Sequence, residues 1–269
     1  MPAYPTAASE PSGRGLRAAA RIVMVALQFL TRLPVPAIPV VDGDLRRATA
    51  VFPLIGLLVG SLAAGAFAVV ATMFSGGVAA VVAVVVAVAV TGAFHEDGLA
   101  DTFDGLWGGW EPQRRVEIMR DSRIGVYGVC ALAGSLGLQV ALLASLATLV
   151  ALAAIVVGHV VGRASILVQI CWLPPVSDQG HGAKVAEPVG PLGASVAAVT
   201  TLAVVGVALG PLAPVPLLSA LLGIGAIRRA ARRRIGGLTG DVLGATQQVA
   251  LILATASVVV LDSLELLWW

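Results

Sequence analysis

The residues best suited to chemistry are three aspartates, Asp97, Asp101 and Asp104, which follow one another at intervals of four and three residues. In an α-helix, side chains at this spacing lie on one face and stack along about two turns. Neighbouring carboxylates repel one another, so such a face calls for a cation. Mg²⁺ fits because it takes hard oxygen ligands and fills its shell with water and phosphate oxygens. The spacing therefore predicts a Mg²⁺ site.

A second polar group follows these aspartates in the chain. It consists of four arginines around an aspartate and a serine: Arg114, Arg115, Arg120, Asp121, Ser122 and Arg123. Guanidinium groups are suited to bidentate capture of phosphate oxygens. Carboxylates for a metal together with arginines for phosphate favour phosphoryl transfer, in which catalysis is mostly positioning and charge neutralisation. The alternative is a solvated loop whose acids pair with these arginines.

These residues stand out because the rest of the chain is apolar. Seven of the 15 Asp and Glu residues lie between Glu96 and Asp121, in a chain that is 58% hydrophobic and only 12% charged. A mean hydropathy of +0.95 excludes an ordinary soluble domain. The apolar runs show none of the alternation typical of a membrane barrel. Both cysteines, Cys130 and Cys171, fall inside apolar runs, which predicts buried small side chains and no disulfide.

The apolar runs predict an all-α, polytopic membrane bundle of about seven transmembrane helices, with residues 1–269 in one domain. The runs cover about residues 49–73, 77–94, 125–146, 148–172, 193–210, 212–227 and 242–264. The amphipathic stretch from Arg17 to Leu33 is expected to be an interfacial or re-entrant helix, not a cleaved signal. Residues 1–16 are expected to be flexible, and residues 95–124 to form a cytoplasmic catalytic loop or helix.

Orientation follows from the basic residues. The cluster Arg228, Arg229, Arg232, Arg233 and Arg234 is the strongest signal, and the positive-inside rule predicts that it is cytoplasmic and contacts anionic lipid. Counting spans backwards predicts the same side for the 95–124 and 173–192 loops and, if the first segment does not cross, for Arg14, Arg17 and Arg21. Trp268 and Trp269 then fall at the outer interface.

Two further places carry polar residues in apolar surroundings. Arg163 lies one turn after His159 inside a predicted span, where a charge either pairs for structural reasons or contacts an anionic substrate. In the GGLTGD segment, Thr239 or Asp241 either caps the last helix or, in the case of Asp241, joins the metal site from the same face. The sequence leaves both alternatives open.

Several motifs together resemble those of the cobalamin synthase family, the adenosylcobinamide-GDP ribazoletransferases. The most specific are HEDGLADTFDGLWGG, which begins at His95, and IMRDSRIGVYG, which begins at Ile118. FLTRLPVP from Phe29, the Gly162-Arg163 pair and GGLTGDVLGA from Gly236 extend the resemblance over nearly the whole chain. Two places depart from the family pattern. Glu96 stands where a leucine is expected, and Gln247, Gln248 and Leu251 occupy a stretch where an acidic residue is common.

The resemblance implies a Mg²⁺-dependent enzyme of the bacterial inner membrane with its site facing the cytoplasm. It would join adenosylcobinamide-GDP to α-ribazole, or α-ribazole 5′-phosphate, and release GMP. The implied metal ligands are Asp97, Asp101, Asp104 and Asp241, and one of the first three or Asp121 would accept the hydroxyl proton. The implied substrate-binding residues are Arg32, Arg120, Ser122, Arg123, Arg163 and Thr239. Membrane lipids are expected partners, nucleic acid is not, and a homo-oligomer is compatible with the sequence.

Two other functions compete with this interpretation. A CDP-alcohol phosphotransferase has a D-x-x-D-G opening like that of Asp101 to Gly105, but the Ala-Arg and the second aspartate pair of that motif are missing. An ion-coupled transporter would also keep Arg163 and glycine-broken helices. Its polar residues should lie near the membrane midplane, however, whereas these acids are predicted at one face.

Overall fold

A computed structural model of the chain describes residues 15–176 and 187–267, and over these ranges the protein is helical and contains no strand. The predictions for residues 1–14, for the middle of the 173–192 loop and for Trp268 and Trp269 lie outside the described residues. The eleven α-helices in the described ranges are α1 Leu16–Leu30, α2 Asp44–Ala48, α3 Phe52–Ala71, α4 Gly76–Thr91, α5 Phe94–Gly108, α6 Pro112–Met119, α7 Val126–Ala144, α8 Thr148–Trp172, α9 Pro191–Leu209, α10 Pro214–Arg234 and α11 Gly240–Ser263.

The predicted polytopic membrane bundle is confirmed. Six helical segments of the described chain are long and apolar enough to cross a membrane: Asp44–Ala71, Val126–Ala144, Thr148–Trp172, Pro191–Leu212, Pro214–Arg234 and Gly240–Ser263. A seventh arises if α4 and α5, which meet at 90°, are counted together. Because α5 turns away from the direction of α4, we treat α4 as the crossing segment and α5 as lying outside the spans.

The bend between α4 and α5 has a local backbone cause. Gly92 and Ala93 both adopt left-handed conformations, with φ of 66° and 57°. Glycine is favoured in such a conformation because it has no Cβ to clash, and it commonly ends a helix. At Gly92 there is a second reason, since an added Cβ would lie 2.5 Å from Nε of Arg32. The chain therefore leaves α4 and starts α5 within two residues.

Helix α1 is short and attached to the bundle along one face. Its 15 residues extend about 22 Å, which is less than the roughly 30 Å hydrocarbon core of a bilayer. Val25, Ala26 and Leu30 are buried, and Arg21 forms an ion pair of 2.7 Å with Asp44 at the start of α2. This length agrees with the expectation that the N-terminal segment does not cross; its location in the interface remains a prediction.

The centre of the bundle consists of α3, α8 and α11, which pack closely through glycines. A Cβ at Gly56 would lie 2.5 Å from the carbonyl oxygen of His159, and one at Gly162 would lie 3.0 Å from that of Gln247. Small residues let membrane helices approach closely. Close contact matters because lipid tails are as apolar as the side chains, so helix association depends on van der Waals packing more than on the hydrophobic effect.

Helix α7 and the end of α8 lie at the outside of the bundle, and this contradicts one prediction. Cys130 and Cys171 are both free and exposed, so the expectation that they are buried is wrong. For Cys130 the physical reason is that only 22% of the apolar window of α7 is buried, so most of its apolar residues face outward. Cys171 lies in the last turn of α8, at the end of an otherwise mostly buried helix. An apolar run in a membrane helix therefore does not by itself indicate burial.

Candidate functional site

The predicted aspartate face lies on α5, and α5 crosses α11 at two glycines. A Cβ at Gly98 would lie 3.0 Å from the carbonyl oxygen of Asp241 and 3.2 Å from Cα of Gly244. A Cβ at Gly244 would in turn lie 3.2 Å from Cα of Gly98 and from the carbonyl oxygen of His95. The two backbones therefore touch at a point where neither residue has a side chain. This crossing brings the aspartates of α5 to the first turn of α11.

Asp97, Asp101 and Asp241 form one anionic group around this crossing. Asp97 is exposed, whereas Asp101 and Asp241 are half-buried. Burial, together with the negative charges of Asp97, Asp241 and Asp104, raises the pKa of Asp101 to about 7. A carboxylate whose proton is held by its neighbours' charges is a marker of functional sites. The structure therefore brings together three of the four residues that the sequence predicted as metal ligands.

Asp104, the fourth predicted ligand, faces a different direction. Its two carboxylate oxygens accept hydrogen bonds from the backbone N–H groups of Gly125, at 2.7 Å, and Gly128, at 2.8 Å. These N–H groups belong to the first turn of α7, where a negative charge is favoured by the helix dipole. A Cβ at either glycine would collide with this carboxylate. Asp104 thus attaches α5 to α7, and its metal-binding role remains a prediction.

The contacts of Asp104 predict that Asp104→Asn destabilises the protein. Asparagine offers one uncharged acceptor oxygen in place of two charged ones, and a hydrogen bond to a charged group contributes about 1.5–3 kcal/mol. The melting temperature in detergent should therefore fall for Asp104→Asn and stay near the wild-type value for Asp97→Asn, whose side chain is exposed. Equal melting temperatures for the two variants would contradict the capping role.

The far end of α5 is held by two arginines. Arg234, the last residue of α10, donates a hydrogen bond of 2.6 Å to the carbonyl of Leu106 and lies 4.6 Å over the ring of Trp107. Arg115 donates to the carbonyls of Gly109, at 2.8 Å, and Arg234, at 2.9 Å. The basic end of α10 and the aspartates of α5 are consequently at the same end of the bundle. The sequence indicated neither anchor, because both depend on which helices are neighbours.

The predicted arginine group divides in the structure. Arg123 donates hydrogen bonds to Asp121, with a shortest distance of 2.7 Å, and these bonds lower the pKa of the exposed Asp121 to about 2. Arg120 and Ser122 are exposed, and the charge of Arg120 acts on Asp241. Arg120 is therefore the arginine of this group that faces the carboxylates. The pairing of Asp121 with Arg123 makes Asp121 a weak base.

The remaining predicted substrate residues occupy three separate positions. Arg32 is exposed beside the α4–α5 bend, and its backbone N–H donates a 2.7 Å bond to the carbonyl of Val90. Thr239 caps α11 by accepting a bond from the N–H of Val242 at 3.2 Å, so the capping alternative for this threonine is confirmed. Arg163 is 0% exposed and lies inside the bundle. As it stands Arg163 does not reach the surface, and its predicted contact with substrate remains untested.

The arrangement of these carboxylates determines which kind of metal site they can form. Within residues 15–176 and 187–267, no three His, Cys, Asp or Glu side chains are close enough to hold a metal ion by themselves. This excludes a cage made of protein ligands in the described arrangement. Mg²⁺ ordinarily uses one or two carboxylates together with water and substrate phosphates. The exposed Asp97 and the half-buried Asp101 and Asp241, which repel one another, suit that second kind of site.

Comparison with known proteins gives a consistent result. The sequence profile of cobalamin-5-phosphate synthase matches residues 22–259. An adenosylcobinamide-GDP ribazoletransferase of Bradyrhizobium diazoefficiens is 44% identical over 243 residues, which cover 86% of this chain and 92% of that protein. The enzyme of the same name from Azorhizobium caulinodans is 42% identical, with coverages of 84% and 90%, and one from Shewanella baltica is 39% identical, with 85% and 90%. No solved structure matches the chain.

Proposed function

The chain belongs to the cobalamin-5-phosphate synthase family, and from this premise we propose that it is an adenosylcobinamide-GDP ribazoletransferase. It transfers the adenosylcobinamide phosphate group from adenosylcobinamide-GDP to α-ribazole or α-ribazole 5′-phosphate. The observation that carries this proposal is the match over residues 22–259, which includes α5, most of α11 and the carboxylate group between them. The products are GMP and adenosylcobalamin or its 5′-phosphate.

The bond changes define what the site has to do. A hydroxyl oxygen of the ribazole forms a bond to the phosphorus that carries cobinamide, and the bond from that phosphorus to the oxygen bridging to GMP breaks. The hydroxyl proton must leave, and the departing GMP gains negative charge. A site for this reaction needs a base, a means of neutralising the diphosphate and a means of aligning the two substrates.

The residues around the α5–α11 crossing meet these needs. Of the two predicted bases Asp101 and Asp121, Asp101 is the better candidate: without a bound cation its pKa is raised to about 7, whereas that of Asp121 is lowered to about 2. The exposed Arg120, whose charge acts on Asp241, is positioned to neutralise phosphate oxygens. Arg123 is occupied by Asp121, so its contribution to phosphate binding requires that this pair open.

We extend the proposal to a cofactor, Mg²⁺, held by Asp97, Asp101 and Asp241. The support is the chemistry of the donors: hard oxygen ligands whose mutual repulsion already raises the pKa of Asp101. When bound, such an ion supplies positive charge to the diphosphate. Asp97 is exposed and next to Asp101 on the same helical face, so both carboxylates are accessible to a substrate phosphate from the same side.

Purified protein in detergent tests the proposed reaction. With adenosylcobinamide-GDP, α-ribazole and Mg²⁺ it should release GMP in equal amount to the corrinoid product, and omission of α-ribazole should stop the release. A folded protein that releases no GMP under these conditions would refute the proposed function.

The raised pKa of Asp101 predicts that Mg²⁺ and protons compete. Below about pH 7 Asp101 holds a proton in the absence of the ion, and above that pH the proton is lost and the site is free for the cation. The Mg²⁺ concentration for half-maximal activity should therefore rise as the pH falls from 8 to 6, by up to about tenfold per pH unit below the pKa. A half-saturating concentration that stays constant over this range would contradict the assignment.

We also propose that the site faces the cytoplasm. The support is that Arg234 at the end of α10 contacts Leu106 and Trp107 of α5, so the basic cluster and the carboxylates share one end of the bundle. Arg229, Arg232 and Arg233 are exposed there. With Cys130 and Cys171 replaced by serine, a single cysteine at position 232 should react with a membrane-impermeant maleimide only after the cells are permeabilised. Labelling of intact cells would reverse the orientation.

A further inference from the structure

A group of polar side chains is buried inside the bundle, behind the carboxylates of α5. The group comprises Glu96 on α5, Ser135 and Gln139 on α7, His159 and Arg163 on α8, and Gln248 on α11. Each is at most 9% exposed, and Arg163 is the largest fully buried side chain of the described residues. Buried polar side chains between membrane helices are costly unless they form hydrogen bonds or ion pairs with one another. The hydrogen-bond and charge partners of these side chains therefore indicate their role.

Three of these helices are joined by a chain of hydrogen bonds. Nε2 of Gln248 donates to Oε1 of Glu96 at 2.8 Å, and Nε2 of Gln139 donates to Oε1 of Gln248 at 3.2 Å. The same nitrogen of Gln139 lies 3.3 Å from the hydroxyl of Ser135. Glu96 is the end of this chain, and only one of its carboxylate oxygens takes part. The second oxygen, Oε2, is buried and has no hydrogen-bond partner among the described residues.

Arg163 also has a buried polar atom without a hydrogen-bond partner in the described chain, and its positive charge is not balanced by its nearest contacts. Its Nη1 donates to the carbonyl of His159 at 3.3 Å and lies 3.2 Å from Nδ1 of the same residue, while its Nε is buried without a partner. A neutral histidine and a carbonyl leave the charge of a guanidinium unbalanced. The carboxylate whose charge acts on Arg163 is Glu96.

The other buried carboxylates of the described chain already have partners. The buried carboxylates of the described chain are Asp44, Glu96 and Asp104. Asp44 is paired with Arg21, and both oxygens of Asp104 accept bonds from the first turn of α7. Glu96 is therefore the one buried acid in residues 15–176 and 187–267 that is left to balance Arg163. Each of the two side chains has a buried polar atom without a hydrogen-bond partner among the described residues.

We propose that Glu96 is the counter-charge of Arg163 and that the two are positioning residues, which fix the rotation and depth of α5 against α8 and α11. Glu96 precedes Asp97 directly and lies five residues before Asp101 on the same helix. A rigid helix transmits any displacement of Glu96 to both aspartates. This inference rests on the proposed function, because it assigns the buried pair to the alignment of that site.

The geometry also predicts where the charge can be moved. Because Gln248 and Glu96 are hydrogen-bonded at 2.8 Å, exchanging the two side-chain types keeps an amide–carboxylate pair and places the carboxylate on α11. Glu96→Gln alone leaves Arg163 without a counter-charge. The double variant Glu96→Gln/Gln248→Glu restores a carboxylate within the same buried group. A shift of about 1 Å at a reacting group can cost about 100-fold in rate, so the single variant should be strongly impaired.

Kinetics of GMP release provide the first test. Glu96→Gln should lower kcat about tenfold or more and raise the half-saturating Mg²⁺ concentration, and the double variant should return both to within about threefold of wild type. The matched control is Glu117→Gln, a glutamate of α6 that is 63% exposed and pairs only with the exposed Arg114. It should change neither parameter. Wild-type parameters in Glu96→Gln, or a double variant as impaired as the single one, would overturn the proposal.

Hydrogen exchange provides a second test that requires no substrate. In Glu96→Gln the backbone amides of α5 should exchange faster than in wild type, while those of α3 and α9 should not, and the double variant should restore protection of α5. A uniform increase over all helices, or no increase in α5, would overturn the proposal. If Glu96→Gln does not yield folded protein, recovery by the second substitution supports the pair and lack of recovery refutes it. If the variants differ from wild type in exchange as expected but the wild-type protein releases no GMP, only the proposed function is refuted.

Discussion

Asp101→Asn should reduce GMP release by about three orders of magnitude while the protein remains folded in the membrane. Burial and, after it, the charges of Asp97, Asp241 and Asp104 raise the pKa of Asp101 to about 7. The amide can neither accept the hydroxyl proton nor contribute charge to a cation site. Loss of a general base alone costs about 10²–10⁴-fold in rate. The measurement is kcat in detergent, with saturating adenosylcobinamide-GDP and α-ribazole.

A matched control for this prediction lies at the opposite end of α11. Asp262 is half-buried, as Asp101 is, and Asp262→Asn should retain the wild-type rate. Asp101→Asn should also keep the wild-type melting temperature within a few degrees, because it removes repulsion between neighbouring carboxylates. Turnover that survives Asp101→Asn would show that the carboxylates between α5 and α11 are not the catalytic group.

Gly98→Ala should reduce activity about tenfold or more although it replaces no polar side chain of the site. Its added methyl would lie 3.0 Å from the carbonyl oxygen and 3.2 Å from Cα of Asp241, and both are backbone atoms that cannot rotate away. Helices α5 and α11 must then separate by a few tenths of an ångström, which changes the spacing of Asp97 and Asp101 relative to Asp241. Because catalysis depends steeply on alignment, kcat/KM should fall although every titratable side chain of the site is kept.

Two other glycines provide the control for the crossing. A Cβ at Gly137 on α7 or Gly225 on α10 would have nothing within 4 Å, so Gly137→Ala and Gly225→Ala should be active and slightly more stable than wild type. Gly244→Ala should resemble Gly98→Ala, since it obstructs the same crossing from the other side. The close approach of α5 and α11 would be unimportant if Gly98→Ala and Gly225→Ala had the same kcat/KM.

The three aspartates of α5 illustrate how a regular pattern can conceal different roles. Their spacing correctly predicted one helix, and Asp97 and Asp101 do face Asp241. Asp104 is on the same helix, but the first turn of α7 lies beside it and offers two backbone N–H groups. Whether an aspartate of α5 contacts a cation or the end of another helix depends on which segment packs beside it. The periodicity of α5 itself does not contain that information.

The departures at Glu96 and Gln248 show a second limit of sequence reasoning. Each looked like an isolated difference from the family pattern, 152 positions apart in the chain. The structure joins them by a hydrogen bond of 2.8 Å beside a fully buried arginine. The two side chains therefore belong to one buried polar group between α5 and α11. Two such changes become one feature only when the packing of α5 against α11 is known.

The amino-acid sequence by itself determined that this protein is a helical membrane bundle, because the length and polarity of apolar runs dictate which segments can leave water. It also predicted Asp97, Asp101, Asp104 and Asp241 as residues for chemistry, because charged groups in so apolar a chain are costly and few. Only the tertiary structure decided how these groups combine, through glycine contacts such as that between Gly98 and Gly244. The physical reason is that helix pairing in lipid depends on shape at close range, and shape complementarity between distant segments leaves no periodic signal in either one.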